Sequence, residues 1–186
     1  MKYQEQLVEL LRQDLEFMEV FNIINAMHLP QAYVSAGAVR DFVWNKKHQL
    51  PSSLVFGNID VFYYDASESN EDYLTRQTQI NQRYSKYLWN LVNIALPKRH
   101  ANKLVVGKDI FDTVQHFPET CSSVAVSCDR MNNISVVAPY GLEDLFELRV
   151  KATDGFAKGQ AQHEAFQRRI NRKKWARRWP NLVFID

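Results

Sequence analysis

The run Asn58-Ile59-Asp60-Val61-Phe62-Tyr63-Tyr64 constrains the fold more than any other part of the chain. Branched and aromatic residues favour a pleated, half-buried surface, and the pattern predicts a strand over residues 54–64. Side chains alternate across a strand, so Asn58 and Asp60 share a polar face at its start. Ile59, Val61 and Tyr63 then point to the opposite face, into a packed layer. A second run, Ser35-Ala36-Gly37-Ala38-Val39-Arg40-Asp41, ends a short strand at 33–35 in small residues. Gly37 marks a turn, and a helix begins over residues 39–44.

The remaining pattern places helices and strands around these two runs. Leu7, Leu11, Leu15, Met18 and Phe21 recur at helical steps and predict one N-terminal helix over residues 1–28, stopped by Leu29-Pro30. Residues 46–53 are a polar loop, and residues 72–87 are helical. A strand over 89–96 is closed by Pro97, and a short helix over 108–117 precedes Pro118. The strand at 122–128 presents Val124, Val126 and Cys128 on one face. It turns at residues 129–133 into a partner strand at 134–138. Leu142, Leu145 and Phe146 pack one side of another short helix, residues 153–160 form a loop, and 163–179 is a basic C-terminal helix. Helices interspersed with about four strands predict an α/β (α+β) layer fold in a single domain over residues 1–186.

Composition narrows the class. With 186 residues, 46% hydrophobic and 24% charged, the chain is an ordinary globular one. No apolar run approaches the ~20 residues that cross a bilayer, and the start, Met1-Lys2-Tyr3-Gln4, has no secretory pattern. Cys121 and Cys128 lack companions for a zinc site and read as free, buried thiols of a cytoplasmic protein. The histidines, His28, His48, His100, His116 and His163, show no metal-ligand spacing, and His100 beside Lys98-Arg99 reads as a surface loop, with a cationic rim of the cleft as the alternative.

The net charge of +2 conceals a basic block of Arg168, Arg169, Arg172, Lys173, Lys174, Arg177 and Arg178. Two readings stand: a footprint for a phosphate-rich partner such as nucleic acid, or a solvated helix face docked on the acidic N-terminal helix. Trp89, Trp175 and Trp179 either stack bases or fill the core.

The turn and the strand carry a resemblance. Gly37-Ala38-Val39-Arg40-Asp41 is similar to the Gly-Gly-Ala-Val-Arg-Asp run of tRNA CCA-adding and poly(A) polymerases. With Ile59-Asp60-Val61, Trp89, Phe117-Pro118-Glu119-Thr120, the run Ala138-Pro139-Tyr140-Gly141-Leu142-Glu143-Asp144 and Trp179-Pro180, the chain resembles a bacterial nucleotidyltransferase-like family of the polymerase-β-like superfamily. The resemblance implies a minimal nucleotidyltransferase fold, a short mixed sheet backed by helices. It further implies a nucleoside triphosphate substrate, phosphate contacts at Gly37 and Ala38, and a magnesium or manganese ion at Asp60. It implies no particular acceptor.

The chain departs from that pattern where charge is needed. Asn58 replaces the first carboxylate of an Asp-x-Asp pair, Asn90 and Asn93 stand where a third acid is expected, and the second glycine of the usual pair is Ala38, preceded by Ala36. Asn58 and Asp60 remain the candidate catalytic and metal-binding pair. Arg40 fits either a charge-assisted phosphate contact or a buried ion pair with Asp60. The resulting expectation is metal-dependent nucleotidyl transfer from a nucleoside triphosphate to an unknown acceptor. The alternatives are a catalytically degenerate accessory protein that binds nucleotide or RNA, and a retained fold with no ligand.

Overall fold

A computed structural model describes residues 2–96 and 107–185. Pro97, Lys98, Arg99 and His100 lie outside the described residues.

The predicted N-terminal helix is two helices, α1 (Lys2–Gln13) and α2 (Leu15–Ala26). Asp14 divides them: its backbone is extended, and its side chain accepts the Phe17 N–H at 3.0 Å as an N-cap. The break shifts the apolar register. Leu7, Leu11, Phe17 and Phe21 are buried, whereas Leu15 is 87% exposed.

β1 (Tyr33–Ser35) runs into α3 (Gly37–Lys47), and β2 (Asn58–Tyr63) follows. The strand predicted over 54–64 is shorter at its start because Leu54–Phe56 form a 3-10 turn. The Glu16 carboxylate anchors that turn, accepting the Leu54 N–H at 2.6 Å and the Ser53 hydroxyl at 3.0 Å.

α4 (Asn70–Arg83) crosses back to β3 (Leu88–Asn93), which pairs parallel to β2. Helix α4 opens on a capping box between Ser69 and Asp72. Its Gln77 side chain bonds the backbone of Trp89 and Leu91, satisfying part of the edge that β3 exposes. α5 (Ile110–Gln115) precedes the predicted hairpin of β4 (Ala125–Cys128) and β5 (Ile134–Val137). Asp129 fixes its turn by accepting the Met131 and Asn133 N–H groups.

The main sheet is mixed and five-stranded, in the order β3-β2-β1-β4-β5. After α6 (Glu143–Phe146), β6 (Arg149–Lys151) pairs parallel with β7 (Val183–Ile185) in a second, two-stranded sheet, which the sequence reading missed.

α7 (His163–Lys173) stops short of the predicted 179 because Lys174 adopts a left-handed conformation, φ 50°, before a 3-10 turn at Trp175–Arg177. The main core joins α1, α2 and α3 to Ile59, Val61 and Tyr63 of β2. A smaller cluster of Phe62, Val92, Val114 and Phe117 covers the other face. Asp60 belongs to that second face by alternation. Among the described residues no helix is long and apolar enough to cross a membrane, and Cys121 and Cys128 are free and buried.

Candidate functional site

The sheet pairing converges on Asp60. Ser35, the last residue of β1, lies opposite it on one side, and Asn90 of β3 lies opposite it on the other. The Asn90 amide donates to the Asp60 carboxylate at 2.7 Å. Burial pushes the Asp60 carboxyl above its ordinary range, opposed by the Asn90 hydrogen bond and the positive charge of Lys173. Asn58 sits exposed at the start of the same strand. One carboxylate and two amides thus occupy three neighbouring positions.

α3 begins beside them. Its N-cap, Ala36, has φ 55° and ψ −123° and supplies no side-chain cap. The first-turn N–H groups of Gly37, Ala38 and Val39 precede any carbonyl the helix offers, so they depend on water or a ligand. The backbone that calls for glycine is therefore at position 36. Gly37 has no left-handed φ, and a Cβ there would meet nothing nearer than the Arg40 guanidinium at 3.7 Å.

Arg40 makes no ion pair with Asp60. Its guanidinium is buried and binds the adjacent Asp41 carboxylate at 2.7 and 2.9 Å and the Ser122 hydroxyl at 2.9 Å. It also lies 4.3 Å from the Trp175 ring centroid and 5.0 Å from that of Trp44. Asp41 takes the charge because it is one residue away and on the same helix turn. Arg40 lines the cleft as a held cation rather than a mobile one.

Among the described residues, no hydrogen bond or ion pair joins the basic block to the N-terminal helices; its partners lie elsewhere. Arg169 pairs with the fully buried Glu119, and Arg168 pairs with Glu164 within its own helix at 3.3 Å. Arg172, Lys173, Lys174, Arg177 and Arg178 are all exposed. Lys173, at the end of α7, and Arg178, in the following segment that is fastened to α3, also line the cleft. Trp175 and Trp179 pack edge-on against Trp44, and Asn45 accepts the Trp179 indole N–H at 3.0 Å. Trp89, Trp175 and Trp179 are all buried, which makes them core residues rather than base platforms.

Two adjoining cavities, of about 360 and 290 Å³, open on this arrangement and share Gly37, Arg40, Asp60 and Lys173. The larger is also lined by Asn58, Ala38 and Arg178, and by Phe56. Sequence reasoning missed Phe56, an 82% exposed ring on the rim. Its signal was present: an aromatic residue beside Gly57 that alternation places on the same face as Asn58 and Asp60. Asn45 and Asp41 were also missed as groups that fasten the cleft walls.

The nucleotidyltransferase family model matches residues 22–184. The chain belongs to the nucleotidyltransferase family. An NMR structure revealing a CCA-adding enzyme head domain matches with TM-score 0.83 at 26% identity, over 98% of this chain and 95% of that one. A CCA-adding enzyme in complex with CTP matches with TM-score 0.60 at 14% identity, over 98% of this chain and 43% of that chain. A tRNA-processing enzyme in its apo form gives 0.55 at 14% identity, with 90% of this chain and 42% of that chain covered. These last two likenesses show the fold, and the chain spans less than half of those proteins. No curated protein matches. The fold is that of a polymerase-β-like nucleotidyltransferase head domain.

The donor set tests which metal the site suits. Among the described residues no group of three or more His, Cys, Asp and Glu side chains converges on a metal position. A protein cage for two divalent ions therefore does not fit. One magnesium ion arriving with substrate phosphates does fit, since such ions are held by one or two carboxylates plus phosphate oxygens.

Proposed function

We propose that this protein binds a nucleoside triphosphate in the cleft over Asp60 and transfers its nucleotidyl group to an acceptor hydroxyl. The observation that carries the reading is the meeting of three features in one cleft: an uncapped helix N-terminus, the Asp60 carboxylate and an excess of cationic side chains. The N–H groups of Gly37 and Ala38 receive phosphate oxygens, as helix N-termini do. Asp60, steadied by Asn90 and assisted by Asn58, would hold one magnesium or manganese ion with the nucleotide. When bound, that ion neutralises phosphate charge and activates phosphorus towards attack. The acceptor oxygen then bonds the α-phosphorus, the bond to pyrophosphate breaks, and the acceptor proton passes to solvent.

Phe56 stands at the rim, where a stacked base would lie. The exposed Arg172, Lys174 and Arg177 favour a polyanionic acceptor such as nucleic acid. The free thiols of Cys121 and Cys128 suit the cytoplasm.

Incubation with labelled nucleoside triphosphates, magnesium or manganese and a panel of RNA and protein acceptors tests the reading. Label transfer or pyrophosphate release that Asp60→Ala abolishes supports it, and release unaffected by Asp60→Ala refutes it. A second reading, a non-catalytic accessory protein that binds nucleotide or RNA, is favoured by Asn58 and Asn90 standing in the two other ligand positions. It predicts binding without turnover, with affinity falling steeply as salt rises.

A further inference from the structure

The cleft is unusual in which charges the chain itself supplies. Asp60 is the only carboxylate at the three strand positions, and the Asp41 carboxylate is engaged by Arg40. Lys173 lines both cavities with Asp60 and Gly37, and Arg178 lines the larger. Among the described residues, no acid lies within ion-pair distance of Lys173. Its ammonium is held below the ordinary lysine range by partial burial, then by the charges of Arg169, Arg40 and Arg172, with the Asp41 charge opposing them, a net crowding that an anion would relieve. Its position is built rather than incidental. The left-handed Lys174 ends α7 beside it, and the Trp44–Trp175–Trp179 cluster and Asn45 fasten the following turn to α3.

We propose that Lys173, with Arg178, acts as a resident cation for the polyphosphate of the nucleotide, so that the cleft binds triphosphate without a divalent ion. The inference rests on the nucleotide-site reading above and deepens it. In a cage built of acids, metal ions must offset the repulsion between the carboxylates and the phosphate oxygens. In this cleft the protein's own ammonium and guanidinium groups meet the phosphate oxygens, and Asp60 opposes them unless it holds an ion. Arg178 also contacts Asn45 at 3.4 Å, which keeps its guanidinium near the mouth, and among the described residues it has no acidic partner. The class of ligand follows from the geometry: a flexible polyanion spanning from the α3 N-terminus to Lys173, the triphosphate of a nucleotide or inorganic tripolyphosphate.

Calorimetric titration of the full chain with inorganic tripolyphosphate and with each ribonucleoside triphosphate, in EDTA and in magnesium, tests this. The expected result is binding in EDTA that Lys173→Met weakens by about 10-fold or more, the scale of one charged hydrogen bond. Lys86→Met, which removes the same charge outside the cleft, should leave it unchanged. Asp60→Asn should tighten the EDTA titration, because a like charge is removed, and reduce the further gain from magnesium.

Nucleotide binding seen only with magnesium, and insensitive to Lys173→Met, overturns the resident-cation proposal while leaving the nucleotide site standing. Absence of binding by every triphosphate in both buffers, with the variants folded by circular dichroism, removes the nucleotide reading itself. Binding of tripolyphosphate that Lys86→Met weakens as much as Lys173→Met also overturns the proposal, because a diffuse surface charge would then be responsible.

Discussion

Gly37→Ala separates the demands of folding from those of the site. In the fold, Gly37 has no left-handed φ, and a methyl group there reaches only ordinary contact, 3.7 Å, with the Arg40 guanidinium. Where alanine fits the native backbone, replacing glycine stabilises by about 0.4–1 kcal/mol through the unfolded chain. For a protein of this size that corresponds to about 1–4 °C in Tm. Binding moves the other way. Gly37 lines both cavities at the start of α3, so a methyl group stands where a phosphate oxygen must approach its N–H. A hydrogen bond to a charged group contributes about 1.5–3 kcal/mol, so losing one raises Kd by about 10- to 150-fold. Thermal unfolding and calorimetric titration with nucleoside triphosphate read the two effects on one sample. A more stable variant with unchanged affinity would refute phosphate binding at this turn. A marked loss of stability would refute the account of the backbone.

Further perturbations have equally definite signs. Ala36→Gly removes a strained φ of 55° at the α3 N-cap; the strain is worth about 1–3 kcal/mol, less about 0.4–1 for glycine's freedom in the unfolded chain. Chemical denaturation should therefore show a net gain near 1 kcal/mol. Asn45→Ala leaves the buried Trp179 indole N–H without its acceptor, a loss of about 1–3 kcal/mol, and the same variant should weaken triphosphate binding by releasing Arg178. Asp60→Asn should stabilise the metal-free protein at neutral pH. The folded Asp60 carboxyl sits above its unfolded value, so the folded state holds the proton more tightly. Stability is then lost as pH rises from the unfolded value through the folded one. The advantage of the amide variant should vanish in acid below the unfolded carboxyl range, as read by urea unfolding at several pH values.

Several features could be read directly from local pattern. Alternation at residues 58–63 gives β2 and the shared face of Asn58 and Asp60, and the turn at Asp129 announces the β4–β5 hairpin. Other features depend on contacts far apart in sequence. The 3-10 turn at Leu54–Phe56 is held by Glu16, and the end of α7 is fixed against Trp44 and Asn45. Lys173 reaches the cleft through that second contact, so charge counting finds the basic block without assigning its members. The break at Asp14 was local but masked, because helical spacing continues through it while the aspartate caps a second helix. Asn90 meets Asp60 only through the parallel β2–β3 register, which neither strand's own sequence specifies. The Arg40–Asp41 pair likewise stands in place of the longer-range pair with Asp60, one of the two readings open for Arg40, because the nearer acid needs no tertiary placement.

The central claim is that one cleft holds the nucleotide with a single carboxylate and resident cations. A crystal grown with a non-hydrolysable nucleoside triphosphate and manganese tests it most directly, since anomalous scattering counts the ions. The account predicts phosphate density between the Gly37–Ala38 backbone and Lys173, with no more than one manganese ion, at Asp60. Two ions beside the α-phosphate, or a nucleotide bound away from Asp60, would contradict it.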